Sequence, residues 1–226
     1  MLNIIMEKHI VSQKYDKAFV TGCDEKTEWM LPWFFKHYNK HNKSPLIFAN
    51  FGVTEKALAH VKKCVSAVMN MSKTKEDGWF KKPKTMLFAP ARKLVWIDTD
   101  CQIVKSIDDI FDKLEPGKLA MVEDKPWTTR RGELWHNSGI VGMIDKPIVL
   151  RKWAEECQNN PRVGDQEVLH SMLNPITKIT YITDLPNEYN WLRIQIENDG
   201  NDNPNKKVIH WTGHKGKLKI KEMMNV

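Results

Sequence analysis

Two aspartates one residue apart, Asp98 and Asp100, close the apolar string of LVWIDTDC. If the backbone stays extended through Thr99, both carboxylates point to the same side. Carboxylates so placed repel each other unless a cation lies between them. Their hard oxygens suit manganese or magnesium, ions that keep positions open for phosphate oxygens. A D-x-D pair also occurs as two solvated turn residues. Its place directly after a buried apolar run brings the ligand-holding reading level with that one, because α/β sheets bind ligands at the carboxyl ends of their strands. The same rule picks out Asp24, which follows another apolar run and reads equally as a turn-forming or helix-capping residue.

The elements that must position these groups can be read from periodicity. Residues 17–21, 45–49, 94–97, 119–122, 138–144, 178–182 and 208–210 are expected as strands. Residues 27–39 carry Trp29, Met30, Trp33, Phe34 and His37 on one helical face. Thr54 can cap a helix with Leu58, Val61, Val65, Val68 and Met69 inward. Further helices are expected at 84–91, 107–114, 147–158 and 164–173, with polar loops at 126–133 and 198–207. Strands alternating with helices imply a Rossmann-like α/β/α sandwich around a mostly parallel sheet, in one domain spanning residues 1–226.

Composition narrows the classes. A hydrophobic fraction of 41% in 226 residues suffices for one sizeable core. The net charge of +7 is spread along the chain, densest at Lys215, Lys217, Lys219 and Lys221, and reads as a lysine-rich surface rather than a nucleic-acid face. Cys23, Cys64, Cys101 and Cys157 are widely spaced, with no C-x-x-C pair, and are expected reduced. The apolar patch in residues 1–10 is broken by Glu7, Lys8 and His9 with no cleavage site after it, and no run spans a bilayer; a cytoplasmic protein is expected.

Five segments, in order, resemble glycosyltransferase family 8 and its relatives, the retaining GT-A enzymes that include glycogenin and bacterial galactosyltransferases. They are FVTGCDE, VWIDTDCQIVKSIDDIF, HNSGIVGM, GDQEVLHSML and VIHWTGHKGK, together covering residues 19–217. The resemblance implies the GT-A fold, a UDP-sugar donor, an acceptor it does not identify, retention of anomeric configuration, and Mn2+ (Mg2+ possible) held by Asp98, Asp100 and His210. Asp100 would also lie near the donor ribose or diphosphate, and Thr21 and Asp24 would hold the uridine and ribose. Lys84 would be the basic donor contact upstream of the D-x-D pair, with Lys81 and Lys82 competing for that role. Asn137 would bond the donor sugar, as would Glu123 and Asp124, while Asp165 and Gln166 would sit beside its ring, Gln166 nearest the anomeric carbon.

Gly213 would let the backbone approach the diphosphate. The family's phosphate lysine stands six residues after the histidine, where this chain has Gly216, so either Lys215 or Lys217 must replace it. Residues 127–135 (WTTRRGELW) could form an acceptor wall, a donor lid, or a surface loop with packed tryptophans. Two rival classes were weighed. A sugar-1-phosphate nucleotidyltransferase would carry a glycine-rich signature near the first strand, where VTGCDEKTEW has one Gly. A non-catalytic nucleotide-sugar or nucleic-acid binder would not need Asp98, Asp100 and His210 together.

Overall fold

The computed structural model of the chain describes residues 14–200 and 202–225, so the reading of residues 1–10 falls outside the described residues. The first half runs β1 (Tyr15–Cys23), α1 (Leu31–His41), β2 (Leu46–Asn50), α2 (Glu55–Cys64), β3 (Ala67–Asn70), α3 (Lys81–Phe88), β4 (Ala91–Ile97) and β5 (Cys101–Ile103). It is followed by β6 (Leu119–Glu123), α4 (Lys125–Arg131), β7 (His136–Ile144), α5 (Ile148–Asn159) and α6 (Asp165–Met172). The chain ends with α7 (Pro175–Tyr181), β8 (Ile182–Leu185), β9 (Trp191–Leu192), α8 (Arg193–Asp199), β10 (Val208–His210) and α9 (Gly213–Met224).

Seven strands form one sheet in the order β3-β2-β1-β4-β7-β6-β8. Every neighbouring pair is parallel except the two made by β7, which runs against β4 and β6. Both faces of the sheet are covered, so successive strand residues feed two cores. On β1, Phe19 joins one core and Val20 the other; on β4, Val95 and Ile97 join the first, and Leu94 and Trp96 the second. The reversal of β7 matters for function. It brings the start of that strand, His136, Asn137 and Ser138, to the end where β4 finishes and the D-x-D turn begins. A small second sheet, β5-β10-β9, clamps the chain just after that turn and sets His210 opposite Cys101.

The sandwich matches the expected class, and several elements differ in detail. Residues 126–133, expected as a loop, contain α4: the Asp124 side chain accepts from Trp127 N at its start, and Gly132 closes it in a left-handed conformation. Residues 178–182 end a helix rather than form a strand. An Asn174–Thr177 capping box and Pro175 start α7 earlier, and the strand begins only at Ile182. The helix capped by Thr54 stops at Cys64, and Val68 and Met69 lie in β3 against β2. The helix read from residue 84 starts at Lys81, residues 108–113 are 3-10 rather than α-helical, and the lysine run near the end lies on α9. Of the loop read at 198–207, the first two residues end α8, and residues 200 and 202–207 lie outside helices and strands. All four cysteines are free. Among the described residues no helix is long and apolar enough to cross a membrane.

Candidate active site

A cavity of about 290 Å³ opens where β1, β2 and β4 end. Asp24, Phe51, Trp79, Lys82, Asp98, Asp100 and Lys217 contribute to its wall. The two aspartates of the D-T-D turn both reach it, yet their partners differ.

Asp98 faces α3. The Lys82 ammonium lies 3.0 Å from its carboxylate and 3.1 Å from that of Asp165 at the start of α6. The same ammonium donates to Ser138 O at 2.9 Å, and Trp96 Nε1 donates to Asp98. Lys82 is 1% exposed, and burial alone would depress its pKa; Asp165 and Asp98 outweigh that and hold it above the ordinary lysine range. Burial pushes the Asp165 carboxyl up, with Lys82 opposing. One ammonium therefore serves two enclosed acids.

Asp100 faces β10 and α9. His210 Nε2 is 3.2 Å from one carboxylate oxygen and Lys217 Nζ 3.2 Å from the other. Burial opposes ionisation of Asp100, but His210 and Lys217 overcome it and hold the carboxyl well below the usual range. Burial likewise opposes the charge on His210, and Asp100 more than compensates, raising the imidazole. The ring's other nitrogen faces Asn137 Oδ1 at 3.0 Å. That amide is oriented by Asp124, which accepts from Asn137 Nδ2 at 3.0 Å, so Oδ1 is an acceptor and His210 Nδ1 carries a proton. His210 Nε2 is thus aimed at the carboxylate, with a proton or a cation between them. Gly139 makes room for this: a Cβ there would strike the imidazole.

The residues fit a divalent ion. Asp100, Cys101 and His210 form the one group among the described residues whose oxygen, nitrogen and sulfur atoms lie mutually within 4.8 Å. Burial pushes the Cys101 thiol well above its ordinary range, which keeps it protonated and leaves one oxygen and one nitrogen donor. That pair suits a hard to borderline ion. Their 3.2 Å separation is close to the ~3.0 Å between adjacent corners of an octahedron with ~2.1 Å bonds. A second-shell amide holding the far ring nitrogen is the usual support of a ligating histidine. Asp98 is outside this group, with a 26% exposed side chain on the same cavity wall.

The other sequence candidates divide. Gln166 does not line the cavity; its Oε1 accepts from Ser138 N at 3.1 Å and its Nε2 donates to Asp124 at 3.2 Å. Asp24 lies at the cavity mouth, whereas Thr21 is fully buried in β1 and does not line it. Lys217 is the lysine that reaches Asp100, and Lys215 points outward from α9. The shift from the family position has a steric cause: a Cβ at buried Gly216 would collide with Trp211 O, so no lysine can stand there. Gly213 opens α9 at φ +75°. Lys84 is turned away, to Glu76 at 2.7 Å and Gln158 at 3.2 Å, and Lys82 occupies the place expected of it.

No protein-family model matches the sequence, and no curated protein does. Solved structures do. LgtC, a galactosyltransferase solved with donor and acceptor sugar analogs, superposes with a TM-score of 0.65 at 14% identity, over 92% of this chain and 95% of that one. The glycosyltransferase GlyE of Streptococcus pneumoniae gives 0.63 at 14% identity over 88% of this chain, which spans 55% of GlyE. Mouse xyloside xylosyltransferase 1 gives 0.56 at 13% identity, covering 87% and 97%. The chain has the GT-A fold. The sequence signal for Lys82 was its place beside Lys81 and Lys84 upstream of the D-x-D pair; Lys81 and Lys82 are both buried on α3, and only the folded chain selects Lys82, which reaches the acids. Asn190, whose Nδ2 donates to Asn137 Oδ1 at 2.8 Å, carries no such signal.

Proposed function

We propose that this chain is a metal-dependent glycosyltransferase that moves a sugar from a UDP-sugar to an acceptor, with retention of configuration. The observation that carries the reading is the convergence of His210 and Lys217 on Asp100, at the carboxyl end of β4 and beside a cavity. Asp100 and His210, joined by Asp98 from the same wall, would hold Mn2+ or Mg2+. The ion supplies Lewis acidity to the departing diphosphate. Lys217, half-exposed and already at Asp100, adds positive charge where the leaving phosphate gathers its negative charge. Gly213 leaves the backbone accessible at the start of α9 for the same phosphates.

On the sugar side, Asn137, Asp124 and Gln166 form one hydrogen-bonded unit between β6, β7 and α6. It offers fixed donors and acceptors for sugar hydroxyls and the developing ring charge. Gln166 is an amide, a poor nucleophile, and acts as a polar stabiliser next to the anomeric carbon. Asp165 keeps Lys82 in place. Asp24 serves the nucleoside end of the cavity. The deciding experiment measures release of UDP from UDP-galactose and UDP-glucose by the purified chain, with Mn2+ and with chelator. Turnover that requires the metal supports the reading. No turnover and no metal-dependent thermal shift with either nucleotide sugar or UDP would sink it.

A further inference from the structure

The cavity occupies the β1-β2-β4 side of the strand-end edge, and the edge continues past β7 to β6 and the helix that leaves it. Asp124 joins the two parts. Its Oδ1 accepts from Trp127 N at 3.2 Å, and its Oδ2 accepts from Gln166 Nε2 and Asn137 Nδ2. α4 thus starts at the residue that holds Gln166 and Asn137, at the β6 end of the same strand-end edge.

We propose that the Trp127–Arg131 face of α4 is the acceptor subsite, and that it takes a saccharide bearing an anionic group, a phosphate or a carboxylate. The proposal rests on the sugar-transfer reading above. His170, Trp135 and Trp127 form a continuous stack, with ring centroids 3.8 Å apart for the first pair and 5.3 Å for the second. Trp135 is buried and fixed by Thr128 Oγ1 and Glu133; Trp127 is the partly exposed outer ring. Arg131 lies over Trp127 at 4.7 Å and over Trp135 at 5.5 Å, and Arg130 lies over Trp127 at 5.4 Å.

Both guanidiniums are exposed, and neither has an acidic partner among the described residues. The acid beside them, Glu133, is engaged by Trp135 Nε1 at 3.3 Å and Lys178 at 3.5 Å. Packing accounts for Trp135 but not for two unpaired cations on the outermost ring. An indole face receives the C–H face of a sugar. A guanidinium lying against an indole keeps its N–H edge free for two-point bonding to phosphate or carboxylate. Stacking already limits the arginine's rotamers, so less freedom is lost when the anion arrives.

The test is a tryptophan-fluorescence titration of the full chain with glucose 6-phosphate, glucuronate, glucose and inorganic phosphate, beside the UDP-release assay. We expect saturable quenching by glucose 6-phosphate, glucuronate or both, at least tenfold tighter than by glucose or phosphate alone. With nine tryptophans present, Trp127→Phe must remove the signal to assign it. Arg131→Gln is expected to weaken the anionic sugar about tenfold and leave glucose unchanged; its thermal midpoint verifies folding, and Arg130→Gln repeats the measurement if the first variant does not fold. Comparing the two acids tells phosphate from carboxylate. Equal response to charged and neutral sugars, no effect of either arginine variant, or a response only to anionic phospholipid vesicles overturns the proposal. If UDP release still requires Mn2+ in that case, the transferase reading survives; if UDP release is absent while the sugar titration succeeds, the transferase reading and the acceptor role fail together, and α4 stands as a site for anionic saccharides only.

Discussion

Asp98 and Asp100 leave the same strand two residues apart, and the fold surrounds them differently. Asp98, its side chain 26% exposed on the cavity wall, meets an ammonium buried to 1% exposure and shared with Asp165. Asp100 meets an imidazole and a lysine on a helix outside the large sheet, the latter 35% exposed at its side chain. The first pairing is internal and complete. The second uses groups that can trade one cation for another. Spacing in a motif does not give its members equal roles; the elements packed against each one decide.

Six substitutions break or sharpen that contrast. Lys82→Met should have the largest effect, leaving buried Asp165 and partly exposed Asp98 without their counter-charge and costing about 3 kcal/mol of stability in urea unfolding. Pairing it with Asp165→Asn should recover part of the loss; no recovery would mean that the acids are not coupled through the ammonium. Asp100→Ala should lower Mn2+-dependent UDP release about a hundredfold to a thousandfold while moving the thermal midpoint far less than Lys82→Met. Should Asp98→Asn abolish the metal requirement and Asp100→Ala retain it, the assignment of roles is reversed. Asn137→Ala should weaken Mn2+ about 10–100-fold by freeing His210 Nδ1, measured by metal titration. Lys84→Met should be smallest for catalysis, with donor KM within about twofold of the parent, because the side chain serves Glu76 rather than the cavity.

Much of the frame was legible because burial writes itself into periodicity. The run ending at Ile97 is buried on both faces, so a strand was the only economical reading, and Asp98 followed as a strand-end residue. Periodicity failed where local chemistry, not burial, chose the conformation. Residues 126–131 are too polar to show a helical stripe, and α4 is held by Asp124 at one end and Gly132 at the other. Residues 178–182 alternate like a strand, but the Asn174 capping box had already committed the chain to a helix. Val68 and Met69 continue a helical spacing, yet they fill a sheet edge beside β2.

By itself the sequence determined the α/β layering and the strand-end aspartates, since each depends on residue type and near neighbours; His210 became a candidate only through the family resemblance. Tertiary structure alone decided which lysine reaches each acid. Lys82 rather than Lys84 faces the sheet because of the phase at which α3 packs. Lys217 reaches Asp100 while Lys215 is exposed on α9, and the close approach of Trp211 leaves no room for a side chain at residue 216 between them. It also separated Asp98 from Asp100, by running β7 backwards and closing β10 over the turn. Such choices depend on contacts between segments up to 117 residues apart, and no local pattern encodes them.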